Sequence, residues 1–169
     1  GLVGGHCIPV DPFYIIYESE RNGFSPKLVQ QARETNERMP IHVAKETLKA
    51  LNDCGNVLNE STVLVLGLAY KPNVGDVRTS AVDGTIEELE AYGVDVVGYD
   101  PHANVEAARE EFGIPVREEL RFDGVDCVLL ATPHDEFYRI DFSAAAAEMA
   151  SNPLLVDVMG ELDGEQYAE

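Results

Sequence analysis

The run Thr62-Val63-Leu64-Val65-Leu66-Gly67 decides the fold. It is continuous, β-branched and leucine-rich, with no polar residue alternating through it. A strand with one wet face alternates; a strand covered on both faces need not. The same texture recurs downstream at 94–99, briefly at 114–116, and at 126–131 and 154–158. Between these runs lie helix patterns at 81–92, ended by Gly93, at 105–112, ended by Gly113, and at 142–150. Strands alternating with helices build right-handed βαβ units and a doubly wound sheet. The predicted strand order is 3-2-1-4-5. The expected class is α/β: a helical segment followed by a doubly wound, mostly parallel, Rossmann-like sheet.

Upstream of this run the period changes. Asp11-Pro12 reads as an N-cap with proline at the first helical position, and Asn22-Gly23 as the end of a short helix with an apolar face. Ser25-Pro26 repeats the start signal. Leu28, Val29, Ala32, Thr35, Met39, Val43, Thr47, Leu48 and Leu51 then recur at three- and four-residue intervals as far as Cys54. Pro40 is expected to kink or restart this helix. So long a helix packs on its own domain, connects two domains, or pairs with its copy in another subunit. The chain divides on this reading into 1–58, a cysteine loop with helices, and 59–169, the sheet domain. Residues 163–169 read as a polar, frayed end.

The 169 residues carry 12 basic and 31 acidic side chains, a net charge of −19. The carboxylates are spread along the chain, as in a surface adapted to high salt or, more blandly, an acidic mesophilic one. Either way nucleic acid is a poor partner, because phosphate backbones require a basic face. No apolar run is long enough to span a bilayer, so no membrane partner is expected. Cys7, Cys54 and Cys127 have neither metal-ligand spacing nor a paired framework, which predicts no metal and a cytoplasmic, reducing location. Cys127 lies in an apolar run and reads as core; Cys54 reads as structural. The chain opens inside a loop, which predicts a fragment or a processed form.

Two stretches bear chemistry. The first is Gly4-Gly5-His6-Cys7-Ile8-Pro9-Val10-Asp11-Pro12. Glycines permit close backbone approach, and the following helix N-terminus favours a thiolate at Cys7, while the charge of Asp11 opposes it. An inert buried cysteine is the competing reading. The second is the loop 67–80, at the carboxyl end of the first strand, where open α/β sheets bind ligands. It lacks the G-x-G-x-x-G of dinucleotide sites: Gly67 stands alone. Instead it carries Lys71 and Arg78, two cations in an acidic chain, suited to phosphate; pairing of this charge with Asp76 is the alternative. Asp100, ending the second strand, is either a ribose-binding acid or a turn residue. Thr132-Pro133-His134 lies beside the same edge.

Three stretches together resemble one family. Gly4–Pro12, Ala32-Arg33-Glu34-Thr35-Asn36, and 67–80 with Tyr99-Asp100-Pro101 are similar to the nucleotide-sugar 6-dehydrogenases, the UDP-glucose/GDP-mannose dehydrogenase family. The Gly-Gly-His-Cys-Ile-x-Val-Asp-Pro form looks most like the UDP-N-acetylmannosamine and UDP-N-acetylglucosamine branch. The resemblance implies two NAD-dependent oxidations of a sugar 6-hydroxyl to the carboxylate. It implies Cys7 as the nucleophile that holds the aldehyde as a thiohemiacetal and then a thioester, with Asp11 orienting water or assisting proton transfer. It implies Gly4 and Gly5 lying against the sugar, Lys71 contacting the substrate, and Arg78 reaching the NAD pyrophosphate. It further implies a homodimer built on the long helix, and a UDP-binding role for the sheet domain. The family's NAD-binding domain, and the lysine and asparagine on that side of the cleft, are not in this sequence. The 169-residue chain is therefore expected not to turn over by itself; a non-catalytic UDP-binding or dimerisation module is the alternative.

Overall fold

The computed structural model describes residues 2–163. The predicted frayed end, 163–169, lies outside the described residues except for Asp163. The elements in order are α1 (Asp11–Arg21), α2 (Lys27–Asp53), β1 (Thr62–Leu66), α3 (Val82–Ala91), β2 (Asp95–Tyr99), α4 (Val105–Phe112), β3 (Cys127–Leu130), α5 (Phe142–Ala146) and β4 (Leu154–Asp157).

The four strands form one parallel sheet in the order β2-β1-β3-β4. The stretch 114–116, expected as a strand, contributes a single parallel bridge between Gly98 and Val116, on the outer edge of β2. Gly98 donates to the Pro115 carbonyl, and Arg117 donates back to Gly98. Pro115 has no N–H of its own, so the ladder stops there. With that bridge counted as a strand, the arrangement is the predicted 3-2-1-4-5.

The continuous apolar character of β1 has its cause in the layers. Val63 and Val65 face a core shared with α2, α3 and α4; Leu64 and Leu66 face a second core with Phe122, Phe137, Phe142 and Ala145. All four are fully buried, each contributing about 1.5–3 kcal/mol of apolar burial. Cys127 is likewise buried, in the first core. Burial pushes its thiol far up, so it packs as a small hydrophobe.

The helices begin and end differently from their sequence signals at several points. Asp11 lies inside α1 and Val10 occupies the cap position, with no side-chain cap bond. Pro26, not Ser25, caps α2, again without a side-chain bond. The helix runs unbroken through Pro40. That proline is buried at the crossing with α3, where Gly84 leaves room for its ring and the Thr85 hydroxyl donates to the Pro40 carbonyl at 3.2 Å. Packing against α3 outweighs the missing N–H. The expected helix 142–150 is α-helical only to Ala146. Residues 147–149 continue in tighter i→i+3 turns, and Ala150 N–H then bonds the Val125 carbonyl and ties the chain back to the sheet. At α4 the expected Gly113 closes the helix, and Asn104 caps its start by accepting from Ala107.

Candidate functional site

The loop 67–80 leaves β1 at the carboxyl edge of the sheet and is held from below by Asp100. One carboxylate oxygen of Asp100 accepts the N–H groups of Leu68 and Ala69 at 2.8 and 3.0 Å; the other accepts those of His102 and Ala103 at 2.9 and 3.0 Å. His134 Nε2 lies 3.0 Å from the first oxygen, and both side chains are fully buried. Burial alone raises a carboxyl pKa. Here the imidazole and the backbone donors outweigh it and hold Asp100 at about 2. Thr132 adds a bond from its hydroxyl to the Ala69 carbonyl, 2.8 Å. Gly67 sits where a Cβ would lie 2.1 Å from the Thr132 carbonyl oxygen, at φ +82°; only glycine fits both demands. Asp100 is therefore an internal tie, not a free ribose acceptor. With Gly67 alone and Asp100 saturated, this edge does not fit a dinucleotide bound in the usual βαβ manner.

The loop tip is fixed to the turn after β3. Asn73 N–H donates to His134 Nδ1 at 2.8 Å, and the Asn73 side chain exchanges two 3.0 Å bonds with Asp135. The far limb is fixed to the cysteine stretch. Gly5 N–H donates to the Thr79 carbonyl at 3.1 Å, and His6 Nε2 lies 3.0 Å from Asp76 Oδ2, with its ring edge-on to Tyr70. A Cβ on Gly4 would meet the Thr79 oxygen at 2.8 Å, and one on Gly5 the Tyr70 ring at 3.1 Å. The close approach these glycines allow is to the chain's own loop.

The remaining sequence-derived candidates fall around this junction. Arg78 grips Asp76 with two 2.9 Å bonds, so its charge is paired, as the alternative reading had it. Arg78, and after it His6, hold the Asp76 carboxyl well below the usual carboxylate range. The Lys71 ammonium stands 5.6 Å over the Tyr70 ring. Cys7 is exposed rather than buried, next to the anchored His6. Its carbonyl accepts the N–H groups of Val10 and Asp11 at 3.0 and 2.8 Å. The structure thus brings Gly4, Gly5, His6, Asp76 and Tyr70 together and sets Cys7 at the rim of the cluster. Asp11 joins it through its backbone.

Sequence reasoning did not assign His6, Tyr70 or Asn73 a role, and it noted His134 only for its place. The signal for His134 was a lone imidazole following β3 at the ligand-binding edge of the sheet.

Comparison with known proteins bears on the same regions. Residues 64–164 match the UDP-glucose/GDP-mannose dehydrogenase family, UDP binding domain, and residues 1–38 match the central domain of that family. The chain is 31% identical over 166 residues to UDP-N-acetyl-D-glucosamine 6-dehydrogenase of Salmonella typhi, covering 98% of the chain and 39% of the relative. It is 35% identical over 138 residues to a UDP-N-acetyl-D-mannosamine dehydrogenase of Methanococcus maripaludis, covering 82% and 30%. The solved UDP-D-ManNAc dehydrogenase of Pyrococcus horikoshii superposes with a TM-score of 0.81 at 28% identity, over 95% of this chain and 36% of that one. The chain thus spans about a third of the length of the relatives it matches. With 101 residues matched as UDP-binding domain and the cysteine stretch matched as central domain, the chain belongs to the UDP-glucose/GDP-mannose dehydrogenase family.

Proposed function

We propose that the chain is the cysteine-bearing and UDP-binding portion of an NAD-dependent nucleotide-sugar 6-dehydrogenase whose substrate is a UDP-N-acetylhexosamine. The observation that carries this reading is the joint between the two matched regions. Gly5 and His6 lock the Cys7 stretch onto the loop bearing Lys71 and Arg78, through Thr79 and Asp76. A sugar 6-carbon near Cys7 and a diphosphate near Lys71 would then belong to one ligand.

In this reading Lys71 contacts the substrate, and Arg78 would exchange its Asp76 contact for the pyrophosphate of NAD. Gly4 and Gly5 shape the floor under the sugar. The 6-hydroxyl is first oxidised to the aldehyde. The Cys7 thiolate then adds to the carbonyl carbon, and the oxygen takes up a proton to give a thiohemiacetal. The second oxidation leaves a thioester, which water, oriented near Asp11, hydrolyses to the carboxylate, restoring the thiol. Bound NAD would supply the hydride acceptor, one molecule for each of the two oxidations. Among the residues of this chain only Arg78 is assigned toward that cofactor, since the edge beside Asp100 does not fit it. The exposed apolar residues along α1 and the start of α2 suit a homodimer built on the long helix. Among the described residues no helix is long and apolar enough to cross a membrane. The unpaired cysteines suit a cytoplasmic enzyme, and the charge of −19 a surface adapted to high salt.

Calorimetric titration of the 169-residue chain with UDP and, separately, with NAD tests the assignment. UDP is expected to bind and NAD not to. NAD binding without UDP binding would overturn the reading. Incubation with UDP-N-acetylmannosamine and NAD is expected to yield no NADH from this chain alone; robust turnover would refute the view that it lacks part of its active site.

A further inference from the structure

We propose that His134 is a positioning residue. Through Nδ1 it holds the tip of the 67–80 loop in the form that presents Lys71 to the substrate's diphosphate, so that it governs ligand affinity without touching the ligand. The inference rests on the UDP reading above and assigns a role to a residue that reading does not use.

The hydrogen bonds define the state of the ring. An amide N–H, that of Asn73, points at Nδ1 from 2.8 Å, so Nδ1 is an acceptor and carries no proton. The ring proton is on Nε2, which donates to Asp100 Oδ2 at 3.0 Å. A neutral imidazole in one tautomer therefore links the loop tip to the carboxylate under the loop's base. It is fully buried, packed edge-on against Phe137 with ring centres 5.3 Å apart, and against His102 at 4.8 Å. Few side chains offer an acceptor and a donor at opposite ends of a rigid body.

What hangs on this link is the loop tip. Asn73 has φ +60°, a left-handed conformation that asparagine tolerates better than most residues but that still needs support. The support comes from His134 on the backbone and Asp135 on the side chain. Lys71 lies two residues before Asn73, and Arg78 five after. Between them the chain has no helix or strand to order it. Ordering such a loop on binding would subtract from affinity; a loop already held does not incur that cost.

The test uses the 169-residue chain with UDP-N-acetylglucosamine, whose pyrophosphate is a diester and does not titrate near neutrality. His134→Asn places an oxygen near the Nδ1 position and can still accept from Asn73. His134→Gln places an amide near the Nε2 position and can still donate to Asp100. His134→Leu does neither. Calorimetry is expected to give a Kd at least about tenfold weaker for the Leu variant, similar weakening for Gln, and recovery to within about threefold of wild type for Asn. Hydrogen exchange at the Asn73 amide is expected to be fast in the Leu and Gln variants and slow in Asn. Melting temperatures are measured alongside; Asn and Gln each keep one buried bond, so stability alone does not predict their order in affinity. Equal affinity in all folded variants, or Gln matching Asn, would overturn the inference while leaving the UDP reading intact. Failure of the wild-type chain to bind would overturn that reading and this inference with it. If His134→Leu does not fold, the contrast between Asn and Gln decides.

Discussion

At the carboxyl edge of the sheet the buried polar side chains Asp100, Thr132 and His134 are all hydrogen-bonded: Asp100 alone accepts four backbone N–H groups and an imidazole. In α1 not one residue is buried, and Phe13, Tyr14, Ile15 and Tyr17 are 47–69% exposed. Beneath α1, Arg33 is 7% exposed with no hydrogen-bond partner for Nε or Nη1. Both regions carry sequence that the family comparison matches, yet only one is explained by contacts within the chain. The edge is fixed by its own hydrogen bonds. The arm is apolar where it meets water and charged where it is buried. Residues chosen for internal stability would show the reverse pattern.

The largest expected effect contrasts one glycine from each region. Gly67→Ala would drive a Cβ to within 2.1 Å of the Thr132 oxygen, at φ +82°. The loop and the turn after β3 cannot both stay in place. A loss of more than about 4 kcal/mol, or failure to fold, is expected in urea unfolding. Gly23, at φ +78° in the arm, has nothing within 4 Å of the added atom. Gly23→Ala should lose only about 1 kcal/mol, the backbone cost alone. Equal losses would erase the contrast.

Next comes the tie itself. Asp100→Asn replaces an acceptor for five donors by a group with one acceptor oxygen, and a loss of about 3 kcal/mol is expected. The pH dependence has a defined sign. Asp100 titrates at about 2 in the folded chain against a reference of 3.8, so its folded-state pKa is depressed. Its contribution is fully present above about pH 4 and is lost as pH falls toward 2. Between those limits the wild type should lose roughly 2 kcal/mol that the variant does not. Parallel urea midpoints for the two proteins from pH 4 to 2 would refute the tie.

The same contrast explains what the sequence made legible. Strands buried on both faces announce themselves, because β1 can only be apolar throughout; helix ends at Gly93 and Gly113 are local chemistry and were equally plain. Pro40 starts no new helix, and the sequence could not show this, since its tolerance inside α2 depends on Gly84 of another helix. The stretch 114–116 misled because one proline reduces a strand to a bridge. In the proposed site, Cys7, Lys71 and Arg78 could be named as candidates from motif and charge. The Asp100–His134–Asn73 link could not, because its members lie 27 to 61 positions apart along the chain and only the fold makes them neighbours.

Arg33 gives a smaller effect of opposite sign. Its Nη2 is 3.5 Å from a Glu37 oxygen and its guanidinium lies 5.8 Å over the Phe13 ring, which leaves most of its donors unsatisfied. Methionine keeps the apolar stem and removes the uncompensated charge. Arg33→Met should raise the stability of this chain by about 1 kcal/mol in urea unfolding. A loss of that size would mean that the arginine is satisfied in solution.

The smallest expected effect lies on the outer face of α1. Tyr14 is 69% exposed and Ile15 58%. Replacing each by serine removes apolar area that already meets water, so little burial is lost on folding. The helix-propensity change is small as well. Each variant should stay within about 0.5 kcal/mol of wild type. The helix is closed at its far end by backbone bonds from Asn22 and Gly23, which do not depend on those side chains. The measurement is sharpest when repeated across chain concentration. At micromolar chain, unchanged midpoints would fit side chains that have no role in the single molecule's stability. If the wild-type midpoint rises with concentration and those of the variants do not, these residues are buried between copies, and the asymmetry between edge and arm is a property of one protomer alone.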